Sequence, residues 1–109
     1  MTPDLSPDDQ KLVVLARAAQ ARIKSAAGAA VRDNTGRTYA GAEVTLPSLN
    51  LSAVEVAVAQ AAAAGAERLE AVAVVGDSDK GKAAAEDLGC RTLIRADSSG
   101  NPISSEEMS

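Results

Sequence analysis

Aromatic side chains are almost missing from this chain, and their scarcity limits how a core can be built. The 109 residues include no Phe and no Trp, and Tyr39 is the one aromatic residue. Aromatic residues normally supply much of the buried area in a core, so Leu, Val and Ile must do so here, between closely packed, alanine-rich helices. Such a core is marginal for a chain of this length. Because a partner surface adds buried area, we predict a homo-oligomer, either a dimer or a tetramer.

The donor atoms of the sequence exclude several kinds of active site. There is no His, and Cys90 is the one cysteine. A catalytic zinc usually takes three protein ligands from His, Cys and carboxylates, so one chain does not supply a zinc site of the usual nitrogen and sulfur type. Nucleophilic sites of the Ser-His-Asp or Cys-His kind are excluded for the same reason. A single cysteine forms no internal disulfide, which is typical of a reducing cytoplasm.

Charge and hydropathy argue against nucleic acid and membranes as partners. The net charge of -4 provides no basic field for an anionic surface. Arg32 and Arg37, or Lys80 and Lys82, are too few to form a basic stripe, and no aromatic platform accompanies them. The longest apolar run, residues 61–64, is far too short to span a bilayer. We therefore expect a soluble chain that binds neither partner.

Local patterns in the first half predict a helix and a β-hairpin. Ser6 is a capping hydroxyl before Pro7 and an acidic first turn. Apolar residues then recur at helical spacing as far as Gly28, which we expect to close the helix. Extended runs at 29–32 and 37–44 flank a turn that ends in glycine and predict a hairpin.

The segment after the hairpin contains a proline and then a second helix. We expect residues 45–51 to form an irregular loop, because Pro47 does not continue a regular strand. A helix begins near Ser52, is apolar on every side and is expected to be buried within the fold or an interface. Gly65 is its expected C-cap.

The second half of the chain alternates strand and helix. Residues 69–75 predict a central strand that is covered on both faces. Residues 79–88 predict a third helix that Gly89 stops, and residues 91–95 predict another strand. The order helix, hairpin, helix, strand, helix, strand predicts an α/β fold with a mixed sheet.

We expect one folded unit between two short tails. Residues 1–5 are predicted to be a flexible tail, residues 6–103 a single domain, and residues 104–109 a frayed C-terminal tail.

A glycine-lysine segment, residues 76–83, follows the predicted central strand. Its spacing matches a phosphate-binding loop that ends at Lys82. Ala83 replaces the Ser or Thr that would bind magnesium, and Asp77 and Asp79 put negative charge where phosphate oxygens would lie. We therefore interpret the segment as a solvated strand-to-helix loop.

Three pieces of the chain share residue patterns with one known family. These pieces are the hairpin (residues 28–31, 33–39 and 41–44), the helix (52–61, with Gly65 after it) and the strand (69–75). Together they resemble the small zinc-dependent cytidine deaminases over about two-thirds of the chain. The resemblance implies a three-layer α/β/α fold around a mixed sheet, and commonly a homotetramer.

The resemblance also implies where the chemistry would lie. In such enzymes a Cys or His opens the central helix and a Cys-x-x-Cys pair opens the next one, and these residues hold the zinc that activates water. A Glu two residues after the first ligand moves the proton. By the resemblance, Ser52 stands at the first ligand position, Val54 stands at the Glu position, and residues 76–83 replace the Cys pair. Glu43 and Thr45 replace the Asn and Glu that would hold the nucleoside sugar. Every such position has changed, so no cofactor is expected, although the family implies zinc.

Two further residues have alternative roles. Glu55 is one residue later than the proton-moving Glu, or about 100° round the helix, so it would need a local register slip to replace that residue. Otherwise it is a first-turn capping acid that the helix dipole favours, or a partner to a neighbouring Arg. Cys90 has no Cys partner nearby, and we expect it in the core.

Three functional hypotheses follow. The first is a catalytically inactive cytidine deaminase-like protein kept as a binding or assembly module, because side chains rather than the fold carry activity. Its vestigial pocket, at positions 43, 45, 52 and 54, is either a cavity or filled by neighbours. The second is an active cytidine or nucleoside deaminase with a metal held by Glu43, Glu55 or Asp77, although carboxylate sites suit magnesium or calcium. The third is a subunit of a larger assembly with an unidentified protein partner.

Overall fold

The computed structural model of the chain describes residues 4–76 and 80–108. Asp77 and Asp79, named above in the glycine-lysine segment, lie outside the described residues, as do residues 1–3 of the expected tail and Ser109. The described residues form three helices and seven strands: α1 Pro7–Arg22, β1 Ala27–Asp33, β2 Thr38–Ala42, β3 Val44–Leu46, β4 Leu49–Leu51, α2 Ala53–Ala63, β5 Leu69–Gly76, α3 Lys82–Asp87, β6 Thr92–Ala96 and β7 Pro102–Glu107.

Five of the strands form one mixed sheet in the order β2-β1-β5-β6-β7. The central pair β5 and β6 is parallel, and the other neighbouring strands are antiparallel. A parallel pair needs a crossover connection, and α3 lies in that connection. The predicted α/β fold with a mixed sheet is confirmed.

Two clusters of buried side chains cover opposite faces of the sheet and define three layers. Val72 and Val74 of β5 belong to the cluster beneath α2 and α3, whereas Ala71, Ala73 and Val75 belong to the cluster beneath α1. This alternation confirms that β5 is covered on both faces. Branched aliphatic residues are the largest fully buried side chains, as the lack of aromatic residues requires: Leu12, Leu69, Ile94, Val31, Val72 and Val75.

The start of α1 is as predicted, but its end is not. Ser6 Oγ accepts a hydrogen bond of 3.1 Å from the Asp9 amide, and Pro7 occupies the first turn. The expectation that Gly28 closes the helix is wrong, because α1 ends at Arg22 and Gly28 lies in β1. Lys24 instead adopts a left-handed φ of 52°, and the amides of Lys24 and Ser25 donate to Ala21 and Gln20. These two hydrogen bonds form a Schellman motif, in which the left-handed residue is usually glycine.

The hairpin of β1 and β2 is confirmed, and its turn is organised by a buried carboxylate. Asp33 is 3 % exposed. Its Oδ1 accepts hydrogen bonds from the Thr35 amide at 2.9 Å, the Thr35 hydroxyl at 2.7 Å and the Arg37 amide at 3.0 Å. The hydrogen bonds from Thr35 are the main reason why the pKa of Asp33 lies below its ordinary value of 3.8.

We expect Asp33 to make the stability of the protein depend on acid pH. Because the pKa is lower in the folded chain, ionised Asp33 stabilises the fold above about pH 4, and this contribution disappears as the pH falls through the folded-state pKa. Asp33→Asn is therefore expected to lower the thermal midpoint at pH 7, with the gap to wild type narrowing below pH 4. Thermal melts of both proteins from pH 7 to pH 2 measure the gap, and a constant gap contradicts the prediction.

The expected irregular loop at residues 45–51 is wrong. Strands β3 and β4 form a second, two-stranded sheet, with Val44 opposite Leu51 and Leu46 opposite Leu49. Pro47 lies between the two strands, where its fixed φ suits a turn and its missing N–H is not needed by the ladder. The hairpin tip exposes two large apolar side chains, with Leu46 at 57 % and Leu49 at 46 % exposure.

Within the chain, helix α2 is buried on one face only, and burial of its other face in an interface stays a prediction. Its buried residues are Ala53, Val54, Ala57, Val58 and Ala61. The opposite side, including Ala59 and Ala62, is exposed. Alanine has little apolar area to lose on exposure, so a helix made largely of alanine, with Glu55 as its one charged residue, need not be buried all round. Gly65 closes α2 as predicted, with a φ of 88°.

The C-terminal elements follow the predicted order with shifted ends. Helix α3 is shorter than predicted and ends before Gly89, whose φ is 71°. The frayed tail expected at residues 104–109 is wrong over residues 104–108. Strand β7 pairs with β6, the Met108 amide donates to the Arg91 carbonyl at 2.7 Å, and Met108 is buried. A polar edge strand carries little hydrophobic signal, so its composition resembles that of a tail. None of the helices in the described ranges is long and apolar enough to cross a membrane.

Candidate functional site

The N-terminus of α2 brings together two of the residues that the sequence singles out. Ser52 is the N-cap, with extended backbone angles, and its Oγ accepts a 3.1 Å hydrogen bond from the Glu55 amide. Val54, in the first turn, is 3 % exposed and packs in the core beneath α2. The Ser52 hydroxyl oxygen therefore caps the helix, and the Val54 side chain packs in the hydrophobic core.

The Glu55 side chain completes a capping box with Ser52. Its Oε1 accepts a 2.8 Å hydrogen bond from the Ser52 amide, while the Glu55 amide donates to Ser52 Oγ. The two bonds satisfy amides that the first turn of a helix leaves unpaired. Of the two roles weighed for Glu55, the structure shows the first-turn capping role.

We expect the charge of Glu55 to matter little and its acceptor oxygen to matter more. Glu55→Ala removes half of the capping box and should lower the free energy of unfolding by about 1 kcal/mol. Glu55→Gln keeps an oxygen that can accept from Ser52, and should cost less than about 0.5 kcal/mol. Urea unfolding of the two variants measures the difference; equal losses contradict a capping role.

Gly81, the N-cap of α3, lies against the same turn of α2. Its φ is +101°. A Cβ atom placed on Gly81 would lie 2.7 Å from Ser52 Oγ, 2.8 Å from Val54 Cβ and 3.1 Å from the Glu55 amide nitrogen. The two helix N-termini therefore meet through the Gly81 backbone. From the sequence, Gly81 is expected in a solvated strand-to-helix loop, and nothing in its local pattern indicates this contact.

A small cavity lies beside Val54. It has a volume of about 10 Å³ and is lined by Val54, Val72, Val74, Lys80, Lys82, Leu93 and Arg95. This is about the space of one water molecule, whereas sites for small-molecule ligands occupy roughly 300–1,000 Å³. At this position, neighbouring side chains fill most of the space between α2 and the sheet.

Basic residues near this cavity converge on one carboxylate. Lys82 Nζ lies 3.5 Å and Arg95 Nη1 lies 3.3 Å from Glu106 Oε1. The pairing of β6 with β7 makes this possible, since Arg95 lies opposite Ser104, two residues before Glu106. Because this contact depends on strand register, sequence spacing alone does not reveal it.

Glu43 and Thr45 lie at the other candidate positions, on the small hairpin. Glu43 directly precedes Val44, which pairs with Leu51, the residue before Ser52. Glu43 and Ser52 are therefore at the same end of the hairpin. Thr45 pairs with Asn50, one step further along, and is exposed. The hairpin thus brings Glu43 towards the α2 N-terminus, and Thr45 faces solvent.

Cys90 lies in the core as predicted. It is 3 % exposed, belongs to the cluster beneath α2 and α3, and its Sγ lies 3.5 Å from the Thr92 carbonyl oxygen. Burial raises the pKa of its thiol. Cys90 precedes β6, whereas the α2 N-terminus contacts Gly81, which follows β5 in the chain. Because β5 and β6 are parallel, the thiol and Ser52 lie towards opposite ends of the sheet.

A larger hollow lies at the Cys90 end of the sheet. It has a volume of about 440 Å³ and is lined by Arg68, Glu86, Gly89, Cys90, Arg91, Glu107 and Met108. Its charged residues are two arginines and two glutamates, so their formal charges cancel. No group of three or more His, Cys, Asp or Glu side chains that could hold a metal ion occurs among the residues that the structure describes.

The fold defines a class of three-layer α/β/α proteins in which the N-termini of two helices meet beside a parallel strand pair. Residues 5–100 match the family described as cytidine deaminase-like. Since the match covers most of the chain, this chain belongs to the cytidine deaminase-like family.

Solved structures agree with this assignment. The cytidine deaminase from Burkholderia pseudomallei has 26% sequence identity and a TM-score of 0.70, over 94% of this chain and 93% of that chain. A point mutant of the cytidine deaminase from Mycobacterium tuberculosis has 23% identity and a TM-score of 0.71, over 95% and 92%. The enzyme from Mycobacterium leprae has 24% identity and a TM-score of 0.67, over 95% and 94%. The two mycobacterial similarities show the fold alone. No curated protein matches the chain.

Proposed function

We propose that this chain is a catalytically inactive member of the cytidine deaminase-like family and acts as a binding or assembly module. The observation that carries the proposal is at the α2 N-terminus. The resemblance assigns the first metal ligand to Ser52 and the proton-moving residue to Val54. The Ser52 oxygen caps the helix, and Val54 is an apolar core residue. Neither side chain is available for the role that the family would give it.

The donor chemistry of the described residues does not fit the zinc ion that the family implies. Zinc sites use thiolates, imidazoles and carboxylates. The chain has no His, and its one thiol is buried towards the opposite end of the sheet. Of the three carboxylates weighed for an unusual site, Glu43 lies beside the small hairpin, Glu55 accepts the Ser52 amide and Asp77 lies outside the described residues, so the described residues do not supply three ligands. We therefore derive no catalytic step through a metal.

The alternative is an active cytidine or nucleoside deaminase with a non-standard site. It is favoured by the 26% identity to a protein named as a cytidine deaminase. The two proposals differ in two measurable quantities, bound metal and turnover.

The test is metal analysis of the purified chain together with an assay of cytidine loss and ammonia release. The Burkholderia pseudomallei cytidine deaminase, run under the same conditions, is the positive control. We expect less than about a tenth of an equivalent of zinc and no turnover above background, given the requirement for three protein ligands. Stoichiometric zinc with ammonia release would overturn the proposal.

An assembly role requires a partner, and we propose that the first partner is a second copy of the chain, in a dimer or tetramer. Exposed apolar side chains support this: Val14, Ile23, Leu46, Leu49 and Ile103. Light scattering at micromolar concentration should give a mass of at least twice the monomer, and a stable monomer contradicts the proposal. We further propose a reducing cytoplasm as the location, because the single thiol is unpaired and buried.

A further inference from the structure

We propose that the junction between α2 and α3 is held by direct packing of the Gly81 backbone on the capped first turn of α2, without a bridging metal ion. The inference concerns how the fold is held together, so it goes beyond the proposed function. It rests on the contacts of Gly81, on the use of the Ser52 side chain and on the charges around the junction.

The backbone of Gly81 lies very close to the first turn of α2. Any side chain on Gly81 would collide with Ser52 Oγ and Val54 Cβ, since a Cβ would stand 2.7 Å and 2.8 Å from them. Real Cβ atoms essentially never come closer than 3.0 Å to such atoms. The left-handed φ of +101° also favours glycine at this position. The contact is therefore specific to a residue without a side chain.

Helix α3, which begins after Gly81, also packs in the core beneath α2. The Ala85 amide donates to the Gly81 carbonyl at 3.2 Å, and Ala85 is fully buried in the same cluster as Val54. Placing Gly81 on α2 thus also places the first turn of α3 over the sheet. Small residues, Gly81 and Ala85 at α3 and Ser52 at α2, allow the two helices to approach closely. The junction is therefore stabilised by dispersion contacts and not by bonds to a metal ion.

The donor groups at the junction do not fit a bridging metal ion. Bonds from protein atoms to zinc are about 2.0–2.3 Å long and come from anionic or imidazole donors. Described residues at the junction provide a hydroxyl that accepts from the Glu55 amide, a Glu55 carboxylate that accepts from the Ser52 amide, the apolar Val54 side chain and a glycine. Lys82 opens α3 and adds positive charge, with its Nζ 3.5 Å from Glu106. Among the described residues, the junction therefore does not offer a divalent cation the three thiolate, imidazole or carboxylate ligands that zinc takes.

The test compares Gly81→Ala with two matched control variants. Gly36 and Gly65 have φ values of +89° and +88°, but a Cβ on either meets nothing within 4 Å. Gly36→Ala and Gly65→Ala therefore report the backbone strain alone, and we expect each to lower the thermal midpoint by about 5 °C. Gly81→Ala adds the collision with α2 and should lower the midpoint by about 15 °C.

A rescue variant separates collision from strain. Adding Ser52→Gly to Gly81→Ala removes the closer of the two atoms that the new Cβ would meet, Ser52 Oγ, and leaves the contact with Val54 Cβ; glycine is tolerated as an N-cap. We expect this double variant to melt above Gly81→Ala. Failure of Gly81→Ala to fold while both controls fold supports the proposal as well. Equal midpoints for Gly81→Ala and the controls would overturn it.

The absence of a bridging zinc ion is tested on the wild-type chain by comparing thermal midpoints with and without zinc. Thermal midpoints after dialysis against EDTA and with added zinc chloride should agree within about 2 °C. A bound ion in large excess over its dissociation constant would raise the midpoint by more than about 10 °C, and such a rise would overturn the inference. Failure here is distinct from failure of the proposed function, since the deamination assay measures turnover and the melts measure how the junction is held.

Discussion

Replacing Gly28 by Ala should cost about 3 kcal/mol or more of the free energy of unfolding. Gly28 lies in β1 beneath α1, and a Cβ there would collide with the Ala16 carbonyl oxygen and come within 2.7 Å of the Gln20 amide nitrogen. Both are backbone atoms of a helix, so no side-chain rotation relieves the collision. The whole of α1 would have to move away from the sheet, and overpacking of this kind destabilises by roughly 1–3 kcal/mol or more.

Urea unfolding of Gly28→Ala, compared with wild type, measures this loss. Gly36→Ala is the control because the turn at Gly36 has open space around it, and its cost of about 1 kcal/mol comes from the left-handed backbone alone. If the loss at Gly28 is no larger than the loss at Gly36, α1 does not pack on β1 as closely as described here.

Ile94→Ala should have an effect of similar size for the opposite reason. Ile94 is fully buried in β6 beneath α1, in a cluster composed mainly of alanine and valine. Removing its side chain leaves a cavity that such small neighbours do not fill, and large-to-small core substitutions of this kind cost about 2–5 kcal/mol.

Ile103→Ala is the matched control for Ile94, since the same side chain is 60 % exposed in β7. Its loss should stay below about 0.5 kcal/mol. Chemical unfolding of both variants measures the two losses. A small loss at Ile94, or losses of equal size, would show that the core beneath α1 is looser than its burial indicates.

The features that could be predicted from the sequence are those set by near neighbours in the chain. Ser6, Gly65 and Gly89 act at helix ends as expected, since a cap depends on residues within one turn. The β1–β2 hairpin was predictable because the turn after β1 carries both an Asp and a Gly. The end of α1 was not, because Lys24 takes a left-handed conformation that its residue type does not indicate.

Features that depend on strand register or on close approach of distant segments were missed. Residues 104–109 were predicted to be a tail because their polar composition does not indicate a strand. Pairing with β6 makes residues 104–107 part of β7. The candidate residues Ser52 and Val54 were correctly placed on a helix N-terminus. The approach of Gly81 and the meeting of Lys82 and Arg95 at Glu106 arise from tertiary packing, which no local pattern encodes.

The edge position of β7 has a consequence for how copies of this protein behave in solution. Pro102 lacks an amide hydrogen, and Glu106 and Glu107 are exposed along the strand. An incoming strand would have to align its backbone beside the Glu107 carboxylate, the ion-paired Glu106 and a proline without a donor, which opposes fibril growth by edge addition. At neutral pH the backbone edge of β7 therefore opposes strand pairing between copies, so any association of copies at β7 has to proceed through side chains such as Ile103.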